Sequence, residues 1–75
     1  MGGGSDRQGL AKRSVTLSGH RTSVALEPEF WAALEALAAA RDLSLAALVA
    51  AVDTARPPGQ PLASALRLTA LRHRS

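Results

Sequence analysis

The chain carries few side chains with the chemistry of nucleophiles, general bases or metal ligands, and their spacing does not assemble them. Ser14, Ser18, Ser23 and Ser44 each lack the neighbouring base and third orienting group that activate a hydroxyl. His20 and His73 lie far apart, with no clustered acid and no cysteine in the chain, so they point to neither a metal pair nor a catalytic base. Gly2-Gly3-Gly4 precedes no strand or helix and is not a phosphate-cradling loop. The composition therefore excludes an enzyme, and no cofactor or metal is expected. What is left is binding chemistry. The formal charge is +3 and the isoelectric point about 11.2, carried almost wholly by arginine, a balance that suits a polyanion without demanding one.

These residues must be positioned by short elements. In the stretch Lys12–Glu27, Val15 and Leu17, then Val24 and Leu26, alternate with polar or small residues, and a period of two predicts extended strand with one buried face. Ser18-Gly19-His20 interrupts the pattern, either as a tight turn between two short strands or as a kink in one long ribbon. At Pro28 the period changes. Proline suits the first helical turn, and Glu27 and Glu29 sit where the helix dipole favours negative charge. Phe30, Leu34, Leu37 and Arg41 then fall on one line, flanked by Trp31 and Ala38, which predicts an amphipathic helix to about Arg41. Trp31 reads as a core or subunit-interface anchor rather than a ligand platform, and its indole N–H needs a partner.

Asp42-Leu43-Ser44 breaks this helix, Asp42 tolerating a left-handed cap and Ser44 offering an N-cap hydroxyl. A second helix follows from about Leu45 to Ala55, with Leu48, Val49 and Val52 on its apolar side and alanine elsewhere, a sign of close packing. Arg56-Pro57-Pro58-Gly59-Gln60 is a breaker, after which a third helix over 61–73 carries Leu62, Ala65, Leu66 and Leu68. Arg67, Arg72, His73 and Arg74 gather toward its C-terminal end, where positive charge opposes the dipole.

The apolar mass is Ala, Leu and Val, with hydrophobic residues at 47% and aromatics at 3%. Residues 1–10 have too little apolar content to offset the entropy of ordering and read as a flexible tail. The domain then spans 11–75, a size at which a lone copy buries only about 60% of its unfolded surface. With no cysteine for disulfides or thiolate metal sites, association is the remaining remedy, so a homo-oligomer, at least a dimer, is expected. No apolar run approaches the roughly 20 residues that span a bilayer, and the N-terminus lacks an apolar h-region preceded by positive charge, so a cytoplasmic location without membrane is expected. Asp6 stands where a myristoylation signal wants Ser or Thr.

A strand with inward Val24 and Leu26, a Pro-started helix of about four turns, a Ser-capped break and a second apolar helix resembles the ribbon-helix-helix fold of small bacterial repressors. Leu26 matches the end of the family's strand, Leu34 and Leu37-Ala38 its first-helix core, and Leu48-Val49 its second-helix core. The runs Lys12–Val24, Glu27-Pro28-Glu29-Phe30-Trp31 and Ser64-Ala65-Leu66-Arg67 resemble one bacterial subfamily, so that the likeness covers nearly everything after the tail. It implies a mainly α chain with a short N-terminal β-ribbon, an α+β class, in an intertwined homodimer or higher oligomer with an added C-terminal helix. The shared core would hold Val24, Leu26, Phe30, Trp31, Leu34, Leu37, Leu48, Val49 and Val52.

The resemblance also implies binding of double-stranded DNA and transcription regulation, with the ribbon in the major groove and alternate outward side chains touching bases. Those positions are Arg21, whose donor fork suits guanine, Ser23, which can bond either edge, and Ala25, which offers a methyl. Arg21 could equally be a solvated strand residue or an intersubunit ion-pair partner. The amino end of the second helix, Ser44 with the N–H of Leu45, would hold a phosphate. Many relatives carry a basic residue at that position, and Leu45 departs from the pattern. Lys12 and Arg13 could bind phosphate or act as edge guards. The alternative is a module that uses the same fold to oligomerise or to bind a protein partner, motivated by Ala25, Leu45 and the apolar third helix, which could also join dimers into larger assemblies.

Overall fold

The computed structural model describes residues 9–74. The tail expected over residues 1–10 falls, as far as Gln8, outside the described residues; Gly9 and Leu10 are exposed and belong to no element. Among the described residues a two-stranded sheet is followed by three helices, which is the α+β ribbon-helix-helix order with an additional C-terminal helix.

Strands β1 (Ala11–Leu17) and β2 (His20–Leu26) pair antiparallel within the chain, from Leu17 opposite His20 to Ala11 opposite Leu26. The kinked-ribbon alternative is not adopted. Ser18 and Gly19 both take positive φ, 52° and 82°, the signature of a two-residue type I′ turn, whose twist matches that of the flanking strands. A side chain at Gly19 would meet no atom within 4 Å, so the demand there is on backbone conformation alone.

Helix α1 (Pro28–Ala40) begins as expected at the proline, and the N–H groups of Phe30 and Trp31 bond the Glu27 carbonyl at 2.9 and 3.2 Å. Its end is a Schellman motif: Leu43 N–H donates to the Ala38 carbonyl at 2.8 Å and Asp42 N–H to that of Ala39 at 3.1 Å, with Asp42 at φ 59°. Helix α2 (Leu45–Ala55) ends at Arg56, and Gln60 N–H closes a turn on the Pro57 carbonyl with Gly59 at φ 87°, the type II pattern with Pro58 leading. Helix α3 (Leu62–Arg74) completes the chain.

The inward face of the hairpin and all three helices enclose one core. Val15, Leu17, Val24 and Leu26 meet Trp31, Leu34, Leu37, Ala38, Leu48 and Val49, and α3 contributes Ala65, Leu66 and Ala70. Most residues expected to be buried between copies are thus buried within one chain, while Phe30 and Val52 are only half-buried. The third helix supplies that cover. Its phase differs from the expectation at one point: Leu68 is 40% exposed and Ala70 is fully buried. The 3.6-residue turn places Ala70, four positions after Leu66, on the buried face, where its small side chain allows close approach. Arg67, expected to join the C-terminal cluster, instead donates to Glu27 at 3.0 Å and lies 5.9 Å over the Phe30 ring, tying α3 to the β2–α1 corner.

Two outcomes follow from this packing. Leu66→Ala should lower unfolding free energy by about 2–5 kcal/mol, whereas Leu68→Ala should change it by less than about 0.5 kcal/mol, as read from urea midpoints. Equal losses would contradict the phase of α3. The hydrogen bond from Arg67 holds the Glu27 carboxyl below its ordinary value, so the charged pair stabilises the fold above the usual carboxylate range and ceases to do so as pH falls through the lowered value. The parent should exceed Glu27→Gln in stability at neutral pH and lose that margin in acid. A margin that persists in acid would mean that the pair's charge contributes nothing.

Candidate nucleic-acid interface

The hairpin register sorts the strand residues onto two faces. Val15, Leu17, Val24 and Leu26 point inward, so the alternate positions Lys12, Ser14 and Thr16 on β1 and Arg21, Ser23 and Ala25 on β2 share the outward face. Across the strands Lys12 sits opposite Ala25, Ser14 opposite Ser23 and Thr16 opposite Arg21. Five of these six are exposed and Ala25 is half-buried. The face holds no acid, and neither Lys12 nor Arg21 has an ion-pair partner among the described residues. All three residues expected to meet bases are together here, joined by Lys12.

A two-residue turn also orients the backbone. Leu17 and His20 exchange the hydrogen bonds that close the turn, and every second pair after them does the same. Arg21, Ser23 and Ala25 consequently turn their N–H and C=O groups to the outer edge of β2, away from β1. That edge has no protein partner among the described residues and can take another strand.

Arg13 is not part of this face. Its guanidinium bonds Glu35 at 2.6 Å and lies 5.0 Å over the Trp31 ring, beside the helices. Trp31 itself is 1% exposed and donates its indole N–H to the Ala11 carbonyl at 2.7 Å, which satisfies the one polar atom it buries. Ser44 acts as the N-cap of α2, accepting from Ala47 N–H at 3.0 Å, and Leu45 beside it is half-buried. Both belong to the helix start rather than to the strands.

Ser14 and Thr16 were not anticipated as members of the outward face. Their signal lay in the turn: once Ser18 and Gly19 are its two central residues, the pairing of every other strand residue is determined. Among the described residues no three His, Cys, Asp or Glu side chains cluster as metal ligands, and no helix is long and apolar enough to cross a membrane.

A sheet with one polar, acid-free face, backed by a Schellman-capped helix and a Ser-capped second helix, defines a ribbon-helix-helix class of architecture. Residues 10–74 match the family model described as the ribbon-helix-helix domain, and the chain belongs to that family. Comparison with curated proteins and with solved structures finds no match.

The cap is testable apart from any ligand. Ser44→Ala should cost about 1 kcal/mol of stability and Ser44→Asp much less, because the carboxylate can also accept from the amide of Ala47. Chemical denaturation of the three proteins measures it; an indifferent alanine variant would show that the hydroxyl does not hold the helix start.

Proposed function

We propose that this protein is a cytoplasmic transcription regulator that binds double-stranded DNA as a dimer, through the outward face of its strands. The observation that carries the reading is that face: six small, hydroxyl-bearing or basic side chains, no acid, and two cations without ion-pair partners among the described residues. Domains of this family usually bind DNA and dimerise. The open edge of β2 is suited to pair with β2 of a second copy, giving a four-stranded sheet with the two β2 strands at its centre.

This geometry divides the work. Strands about 4.8 Å apart place the two outer ones roughly 14 Å from each other, slightly more than the about 12 Å width of the major groove. The central β2 pair therefore enters the groove, with Arg21 and Ser23 on base edges and Ala25 toward a thymine methyl. The flanking β1 strands bring Lys12 to the phosphate walls. Ser44 and the N–H of Leu45 add a phosphate contact at the start of α2, where the dipole is positive. Arg13, already engaged with Glu35, contributes to holding the hairpin instead.

Selection from randomised duplexes at moderate and high salt, after light scattering has established the mass, tests the proposal. An inverted-repeat motif should be enriched. Arg21→Ala should weaken binding to it by about 1–3 kcal/mol and relax one base position, while Lys12→Ala should weaken all sequences alike and reduce the salt slope by about 1. An Arg21→Ala variant that binds as tightly as the parent would remove the base-reading role, and a clean dimer that retains no duplex would overturn the function.

A further inference from the structure

Away from the strands, helices α2 and α3 enclose an open groove of about 580 Å³. Its floor is apolar, with Ala51, Val52 and Leu68 open above the buried Leu48, and its rim carries Arg41, Arg56 and Arg72. A smaller recess continues it past Arg41 and Arg72 to His73. No carboxylate lines either part. Arg56 is occupied by Asp53 at 2.8 Å and by the Gln60 carbonyl, but Arg41 and Arg72 have no ion-pair partner among the described residues. Leu68 is 40% exposed although it lies in the groove.

The chemistry of lining and shape narrows the occupant. A small molecule needs a cleft that buries most of its surface, and this one is open along its length. A second copy docked on it by a two-fold axis would set the same patch against itself, bringing the arginines of both copies together with no carboxylate from either lining to pair them. A nucleic-acid backbone would satisfy the arginines and leave Ala51, Val52 and Leu68 against hydrated phosphate. What matches both floor and rim is an apolar stripe flanked by carboxylates. We propose that the groove docks an acidic amphipathic helix of another protein, its apolar side chains at i, i+3 and i+7 covering Ala51, Val52 and Leu68 and its flanking acids reaching Arg41 and Arg72. None of the six outward strand residues lines the groove, so this contact is independent of DNA binding and can form with a duplex in place.

The probe is a synthetic helical peptide of about 14 residues, roughly four turns, with leucines at that spacing and glutamates beside them; its twin has lysines in place of the glutamates. Titrated into isotope-labelled full-length protein, the acidic peptide should shift the amides of Val52, Leu68 and Thr69 to saturation and the lysine twin should not. Arg41→Glu with Arg72→Glu should weaken the acidic peptide roughly tenfold or more and admit the twin. The peptide comparison on the parent decides the matter even if that double variant fails to fold. Equal binding of both peptides, no saturation, or shifts confined to Arg21 and Ser23 would overturn the proposal. So would displacement of the peptide by a short duplex, which would make the groove a nucleic-acid surface, or a parent dimer that the double variant dissolves, which would assign it to a second copy.

Discussion

Everything the outward face can do depends on how Trp31 joins the sheet to the helices. A buried indole with an unmet N–H would carry a desolvation penalty of about 1–3 kcal/mol, and the Ala11 carbonyl at 2.7 Å removes it. That single bond pins the start of β1 to the first turn of α1. Arg13 lies over the ring and is itself held by Glu35, so the hairpin cannot roll on the helices without losing a hydrogen bond, a ring contact and an ion pair together. The strand faces are distinguished by this anchorage as much as by the alternation of side chains.

A second constraint is the shortage of large side chains. With Phe30 and Trp31 as its only large aromatic side chains, the chain fills its interior with leucine, valine and alanine, and alanine fills space well where backbones approach closely. Ala38, Ala65 and Ala70 mark those approaches. The Glu27–Arg67 pair then fixes α3 against the corner where β2 becomes α1. In consequence the charged residues of the chain fall into separate groups: some bind the elements to one another, as Arg13, Arg56 and Arg67 do, and others, such as Lys12, Arg21, Arg41 and Arg72, have no ion pair of their own among the described residues.

Much of this was legible from local patterns. The period-two residues Val15, Leu17, Val24 and Leu26, the proline at the start of α1, the left-handed Asp42 and the capping Ser44 each act within a few residues, where sequence spacing and geometry coincide. Three features were less legible because they are set by distant contacts. Whether β1 pairs in cis depends on two positive φ angles, of which only that of Gly19 is suggested by residue type. The burial of Ala70 in place of Leu68 is decided by how near α3 can come to α1, not by hydrophobicity. Arg13 resembles any exposed base in a strand until Glu35, 22 positions away, is brought beside it. Of the candidate interface, Arg21, Ser23 and Ala25 followed from alternation, while their grouping with Lys12, Ser14 and Thr16 required the turn.

The position of Leu66 and Ala70 in the chain has a bearing on how the protein comes into being. The hairpin and α1 can form from contiguous sequence, but the interior they face is closed by residues of α3, much further along the chain. Until α3 docks, Leu26, Trp31 and Leu34 lack the cover that Leu66 and Ala70 give them. The native core is therefore completed in one step that involves the chain from Ala11 to Ala70 at once.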